Sequence, residues 1–145
     1  MIEIRKIQKG EYEEMYILRW EMHGKPFGIS KNKLKDLVDK ISVIVVAFDT
    51  EKKQVVGSAR LGPCILSKAT IGYLQVMESY RKKGVGRKLM EFLHNEAKKK
   101  GIRKLELSAR TSVEKFYKEL GYVPVGDYYE TKKYKIPGID MEYFL

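Results

Sequence analysis

Residues 76–89 constrain the fold of this chain more than any other part, because an apolar stretch there runs through Arg81, Lys82, Lys83, Gly84, Val85 and Gly86 directly into a helix-forming segment. A strand, turn and helix of this kind holds anions. Gly84 and Gly86 put no side chain between a bound anion and the first N–H groups of the helix, which lack intrahelical acceptors and sit at the positive end of the helix dipole. Arg81, Lys82, Lys83, Arg87 and Lys88 surround that place with full positive charges. The spacing excludes two other phosphate sites. A Walker loop needs Gly-Lys-Ser/Thr, and a dinucleotide fingerprint needs a third glycine where Leu89 stands. A plain tight strand-to-helix turn is the alternative, and the adjacent Arg81, Lys82 and Lys83 disfavour it.

The rest of the chain supplies a sheet around this turn. Ile2, Ile4 and Ile7 read as an edge strand, and 11–23 as a helix with Met15, Leu18 and Met22 on one face, ended by Gly24. Ser30 is the expected cap of a second helix with an apolar stripe of Leu34, Leu37, Val38 and Ile41. A buried strand at 43–48, a turn at 49–53 and a return strand at 54–61 follow, before Gly62 and Pro63 break the chain. Residues 69–77 form the strand entering the glycine turn, and the helix 85–100 turns Val85, Leu89, Phe92, Leu93 and Ala97 inward, with Gly101 closing it. Ile102, Leu105 and Leu107 belong to a further strand, 112–120 to a short helix, and 122–125 and 139–144 to closing strands. The expected architecture is α/β (α+β), a mixed, mostly antiparallel sheet of about seven strands flanked by about four helices.

At 145 residues the chain reads as one domain, 1–145, able to bury about 70% of its unfolded surface. The net charge of +10 leaves nucleic acid, an anionic membrane and an anionic small molecule all open. No recognition-helix signature, zinc-ligand set or RNP-like aromatic strand is present, which disfavours a nucleic-acid module. The longest apolar run, 43–48, falls far short of the ~20 residues of a membrane span, and the N-terminus lacks a signal-peptide pattern. A cytoplasmic protein with no membrane partner is expected. A lone cysteine, Cys64, and two distant histidines, His23 and His94, give no metal cluster, and both histidines read as surface or cap residues. Arg19 and Arg60 are expected to pair with neighbouring carboxylates.

Leu74, Gln75 and Val76, then residues 81–86, then Leu89 and Met90, resemble the strand, pyrophosphate loop (R/Q-x-x-G-x-G/A) and helix of the GNAT superfamily of N-acetyltransferases. Phe116, Tyr117, Lys118, Glu119, Leu120, Gly121 and Tyr122 resemble its second signature, an aromatic-tyrosine pair one turn before a Gly-aromatic. A closer likeness runs through Leu18 and Arg19, residues 25–28, 56–61, 107–110 and 136–141; it is to a poorly characterised bacterial and archaeal group that includes ElaA-type proteins. Three positions depart from the pattern. Glu78 stands where many relatives have proline, Arg110 where many have asparagine, and Gly138 where the ElaA-like tail has histidine.

The resemblance implies acetyl-coenzyme A as cosubstrate, with no metal. Its diphosphate would sit on the N–H groups of residues 83–88, neutralised by Arg81 and nearby cations, and its pantetheine arm would pair with residues 74–77. The implied binding set is Leu74, Gln75, Val76, Arg81, Lys82, Lys83, Gly84, Val85, Gly86, Arg87 and Lys88. Val76 N–H is the implied oxyanion donor and Tyr117 the acid that protonates the leaving thiolate; periodicity alone would make Tyr117 a core aromatic. Glu78 is a candidate base, beside Glu21, His23 and Glu130. The implied acceptor is a small-molecule or protein amine. Homodimers are common in the superfamily, although no seam is visible here. A non-enzymatic acyl-coenzyme A sensor is the rival reading.

Overall fold

The computed structural model describes residues 1–132 and 134–145. Its strands are β1 (Ile2–Lys6), β2 (Val43–Asp49), β3 (Gln54–Leu61), β4 (Lys68–Val76), β5 (Lys104–Arg110), β6 (Val123–Glu130) and β7 (Pro137–Phe144). They form a seven-stranded sheet in the order β1-β2-β3-β4-β5-β7-β6. Only the β4–β5 pair is parallel. Three α-helices accompany it among the described residues: α1 (Tyr12–His23), α2 (Val85–Lys99) and α3 (Glu114–Glu119).

β2 and β3 are apolar at nearly every position because both faces of the sheet are covered there. Val46 and Val55 pack with Leu18 of α1, whereas Val45, Ala47 and Val56 join the main core with Leu89, Met90 and Leu93 of α2. The inward stripe of α2 is the one its helical spacing predicts, with Val85, Leu89, Leu93 and Ala97 buried at four-residue intervals. Among the described residues, no helix is long and apolar enough to cross a membrane.

The segment after Gly24 departs from expectation. In place of one helix with an apolar stripe, it makes three 3-10 turns, Lys25–Phe27, Lys31–Leu34 and Leu37–Ile41, the last two separated at Lys35 and Asp36. Leu34 is buried, but Leu37 and Ile41 are 81% and 67% exposed, and Ser30 makes no side-chain cap. The physical reason is charge. Asp36 caps the last turn by accepting from Val38 N–H, and Asp39 is drawn inward by Arg19 and Arg60, so a carboxylate occupies the buried face that the stripe would have taken. The expected pairing of both arginines with carboxylates is what forms.

β4 is the strand that shapes the site. It pairs with β5 only through Lys68, Ala69 and Thr70, opposite Lys104, Leu105 and Glu106, and beyond that register the two strands part. On its other side, Gly72 faces Arg60 while Gln75 faces Ser58, so β4 carries one residue more than β3 across this interval. The extra residue is a bulge. Tyr73 sits there at φ +52, a left-handed conformation that costs a non-glycine residue about 1–3 kcal/mol. Its ring is held by the guanidinium groups of Arg19 and Arg60, 4.1 and 4.9 Å from the centroid.

At the far side of the sheet, β6 pairs with β7 but slips register between Val125 and Tyr129, and every residue of β6 is exposed.

Candidate active site

The parting of β4 and β5 opens a cleft of about 780 Å³. The glycine turn, α3 and the last turn of α1 all border it, and Arg81 of the turn reaches Met22 Sδ of α1 at 2.9 Å. Within the turn the two glycines do different work. Gly84, the residue before α2, has φ +80 and open space around a would-be Cβ, so backbone conformation demands glycine there. At Gly86 a Cβ would stand 3.4 Å from the Phe116 ring, an ordinary packing contact, so α3 lies directly against the start of α2 and space alone does not demand glycine there. Arg81 Nε donates to the Val76 carbonyl at 3.0 Å and folds the turn back onto the strand that precedes it.

Most of the residues implied for cofactor binding converge. Leu74, Gln75, Val76, Arg81, Lys82, Gly84, Val85, Gly86 and Arg87 all border the cleft. Lys83 and Lys88 do not. Both are exposed, and the Lys83 ammonium lies 5.9 Å from the centre of the Tyr80 ring. The Gln75 side chain turns away into the core, where its amide donates to the Ser58 hydroxyl and its own carbonyl oxygen is left without a partner.

The free edge of β4 is defined by alternation. Met77 N–H donates to Val56 at 2.8 Å, so the peptide groups of Val76 and Leu74 point to the opposite edge, into the cleft. Arg81 on the Val76 carbonyl and His23 on the Leu74 carbonyl, 3.2 Å from Nε2, agree with that direction. An extended ligand bearing amides can pair with such an edge.

Tyr117 borders the same cleft with its ring packed against Phe116 and Tyr122. Burial pushes its hydroxyl up to about 12, with the charge of Arg110 acting in the opposite sense. The hydroxyl is therefore protonated throughout the neutral range.

His23 and Arg110 were harder to anticipate. His23 is not a surface cap; it reaches between the parted strands, its Nε2 on Leu74 of β4 and its Nδ1 2.7 Å from an Arg110 nitrogen of β5. Because Arg110 can only donate, Nδ1 accepts and Nε2 carries the proton. His94 is not a surface residue either. It is 8% exposed, stacked on Tyr143 with ring centroids 4.6 Å apart, and 2.8 Å from the Tyr122 hydroxyl. The signal in the sequence was the place of His23 in the last turn of α1, but nothing there reveals that β5 comes within reach.

Of the carboxylates considered as bases, Glu21 borders the cleft, whereas Glu78 and Glu130 are exposed and lie outside its lining. Gly138 has a steric basis of its own. A Cβ there would stand 2.9 Å from the Thr131 methyl and 3.2 Å from the Ala109 carbonyl, so the histidine of ElaA-like tails has no room.

Residues 21–145 match the family model described as an acetyltransferase (GNAT) domain. The fold is similar to that of a GCN5-related N-acetyltransferase from Kribbella flavida, at TM-score 0.80 and 19% identity, covering 99% of this chain and 98% of the other. It is also similar to an aminoglycoside 6'-N-acetyltransferase complexed with coenzyme A, at TM-score 0.82 and 18% identity over 98% and 96% of the two chains. Escherichia coli ElaA aligns at TM-score 0.76 and 21% identity over 98% and 99%. With a basic glycine turn, a parted β4–β5 pair and a family model matching most of its length, the chain belongs to the GNAT acetyltransferase family and is an acyltransferase.

Proposed function

We propose that this protein moves an acetyl group from acetyl-coenzyme A to a primary amine by direct attack. The observation that carries the reading is the geometry of the cleft, in which an anion-binding turn, a free strand edge and a buried protonated tyrosine follow one another. The diphosphate fits the N–H groups after Gly84, with Arg81, Lys82 and Arg87 as counter-charges. The pantetheine arm fits the exposed edge of β4.

Along that edge Val76 comes first after the turn and Leu74 one pleat further. The thioester is at the far end of the arm from the diphosphate, so Val76 N–H suits an amide of the arm and Leu74 N–H suits the thioester carbonyl, a revision of the expectation that Val76 serves as oxyanion donor. The amine nitrogen bonds to the carbonyl carbon, the C–S bond breaks, and the sulfur takes the Tyr117 proton. A donor at about 12 facing a thiol of about 8.5 is always loaded but weakly acidic, which puts its contribution at the low end of the usual ~10²- to 10⁴-fold. Both His23 nitrogens are engaged, and Glu78 and Glu130 stand outside the cleft, so of the four candidate bases Glu21 is assigned the proton lost by the amine.

Calorimetry with acetyl-coenzyme A, followed by thiol release over a panel of amines, tests this reading. Association together with thiol release supports it. Association without release from any amine favours a sensor, and the absence of association removes both.

A further inference from the structure

We propose that the acceptor carries an anionic group, a carboxylate in the first instance, in the same molecule as its amine, and that Arg110 receives that group. The inference rests on the acetyl-transfer reading above and adds the chemical class of the acceptor.

Among the described residues, Arg110 is the only Lys or Arg bordering the cleft outside the phosphate-binding turn. The other cations there, Arg81, Lys82 and Arg87, belong to the turn and are accounted for by a diphosphate. The wholly or partly buried arginines in the rest of the fold face carboxylates: Arg5 pairs with Glu11, Arg19 with Asp39, and Arg60 with Asp36 and Asp39, whereas Arg103 is exposed to solvent. Arg110 has no such partner among the described residues. Glu21 and Glu119 border the same cleft, yet neither forms an ion pair with it.

The guanidinium is nevertheless held firmly. One nitrogen donates to His23 Nδ1 at 2.7 Å, and the carbon lies 4.9 Å from the centroids of both Phe27 and Tyr134. These contacts fix the plane while using one of five N–H donors, which leaves a fork shaped for bidentate pairing with a carboxylate. The place is right for an acceptor. Arg110 ends β5, is linked through His23 to the Leu74 carbonyl on the reacting edge, and acts electrostatically on Tyr117. A half-buried charge held open beside a reacting centre is costly unless a ligand completes it.

The test uses the full chain with saturating acetyl-coenzyme A and reads thiol release. Acceptors are supplied in pairs that share an amine and differ in charge: ω-amino acids against ω-amino alcohols of equal length, and short peptides with free against amidated C-termini. In at least one pair kcat/KM is expected to be about 10- to 100-fold higher for the acid. Arg110→Gln should reduce that ratio to about two-fold with the KM for acetyl-coenzyme A unchanged, and Arg110→Lys should restore part of it. Equal use of both members in every pair overturns the inference and leaves the transferase reading standing. A ratio that survives Arg110→Gln, or a variant that loses acetyl-coenzyme A affinity instead, also overturns it. No release from any amine overturns both.

Discussion

The guanidinium of Arg19 and the carboxylate of Asp39 meet through two hydrogen bonds of 2.9 and 3.1 Å, and the two residues are 1% and 2% exposed. Asp39 also accepts from Arg60 at 3.1 Å, and the two arginines hold the Tyr73 ring between α1 and the bulge of β4. The pair therefore supports the feature that opens the cleft.

Asp39→Asn is expected to cost about 3–5 kcal/mol, because it leaves buried cations without compensation. Burial by itself would push the Asp39 carboxyl up; the hydrogen bonds and charges of Arg19 and Arg60 outweigh it and hold the group below its ordinary value. The group's contribution is complete above the unfolded pKa near ~3.9 and is lost as pH falls through the lower folded value. Urea unfolding of both proteins at neutral pH measures the cost; a difference under about 1 kcal/mol would contradict it.

Tyr117→Phe should lower kcat by about 10²-fold and leave the affinity for acetyl-coenzyme A unchanged. With the hydroxyl pushed up to about 12, the wild-type rate should rise with pH as the amine deprotonates and then level, with no descending limb from this residue up to pH ~10. A full pH–rate profile of both proteins is the check, and undiminished kcat in the variant would remove Tyr117 as the acid.

Two glycine substitutions should fail for different reasons. Gly84→Ala meets no neighbour but must hold a left-handed backbone, at a cost of about 1–2 kcal/mol, and should weaken acetyl-coenzyme A binding if the turn relaxes. Gly138→His meets the Ala109 carbonyl, which cannot move without the sheet, and should cost about 1–3 kcal/mol without restoring any catalytic step. Unfolding midpoints and cofactor titration separate the two.

His94 should give the fold an acid-side weakness. Burial first, and the charge of Lys98 second, lower its pKa below the ordinary 6.5, with Glu91 opposing. The unfolded chain then takes up a proton that the folded one resists, so stability is whole above about pH 6.5 and declines as pH falls from there toward the folded value. His94→Phe should flatten that slope in urea midpoints taken between pH 7.5 and 5. An equal slope in both proteins would clear His94 of the effect.

The sheet, α1, α2 and the glycine turn were legible because each is written in a local period or a glycine spacing. The inward residues of α2 follow four-residue intervals that no tertiary contact needed to override. The second helix was misread because the stripe of Leu34, Leu37, Val38 and Ile41 counted apolar residues and ignored Asp39, whose partners come from α1 and β3. Of the site, the turn could be read directly. The bridge from Leu74 through His23 to Arg110 could not, since its members are 51 and 87 residues apart in pairs and meet only after the bulge at Tyr73 has parted two strands.

The slipped register of β6 has its own consequence. A flat, exposed outermost strand invites copies of itself to add on, but Pro124 withholds a donor and the kink between Val125 and Tyr129 breaks the row of peptide groups that a newcomer would have to match. The outer margin of this sheet is thereby guarded against fibril-like stacking, and straightening it by replacing Pro124 and Gly126 would expose the chain to that fate.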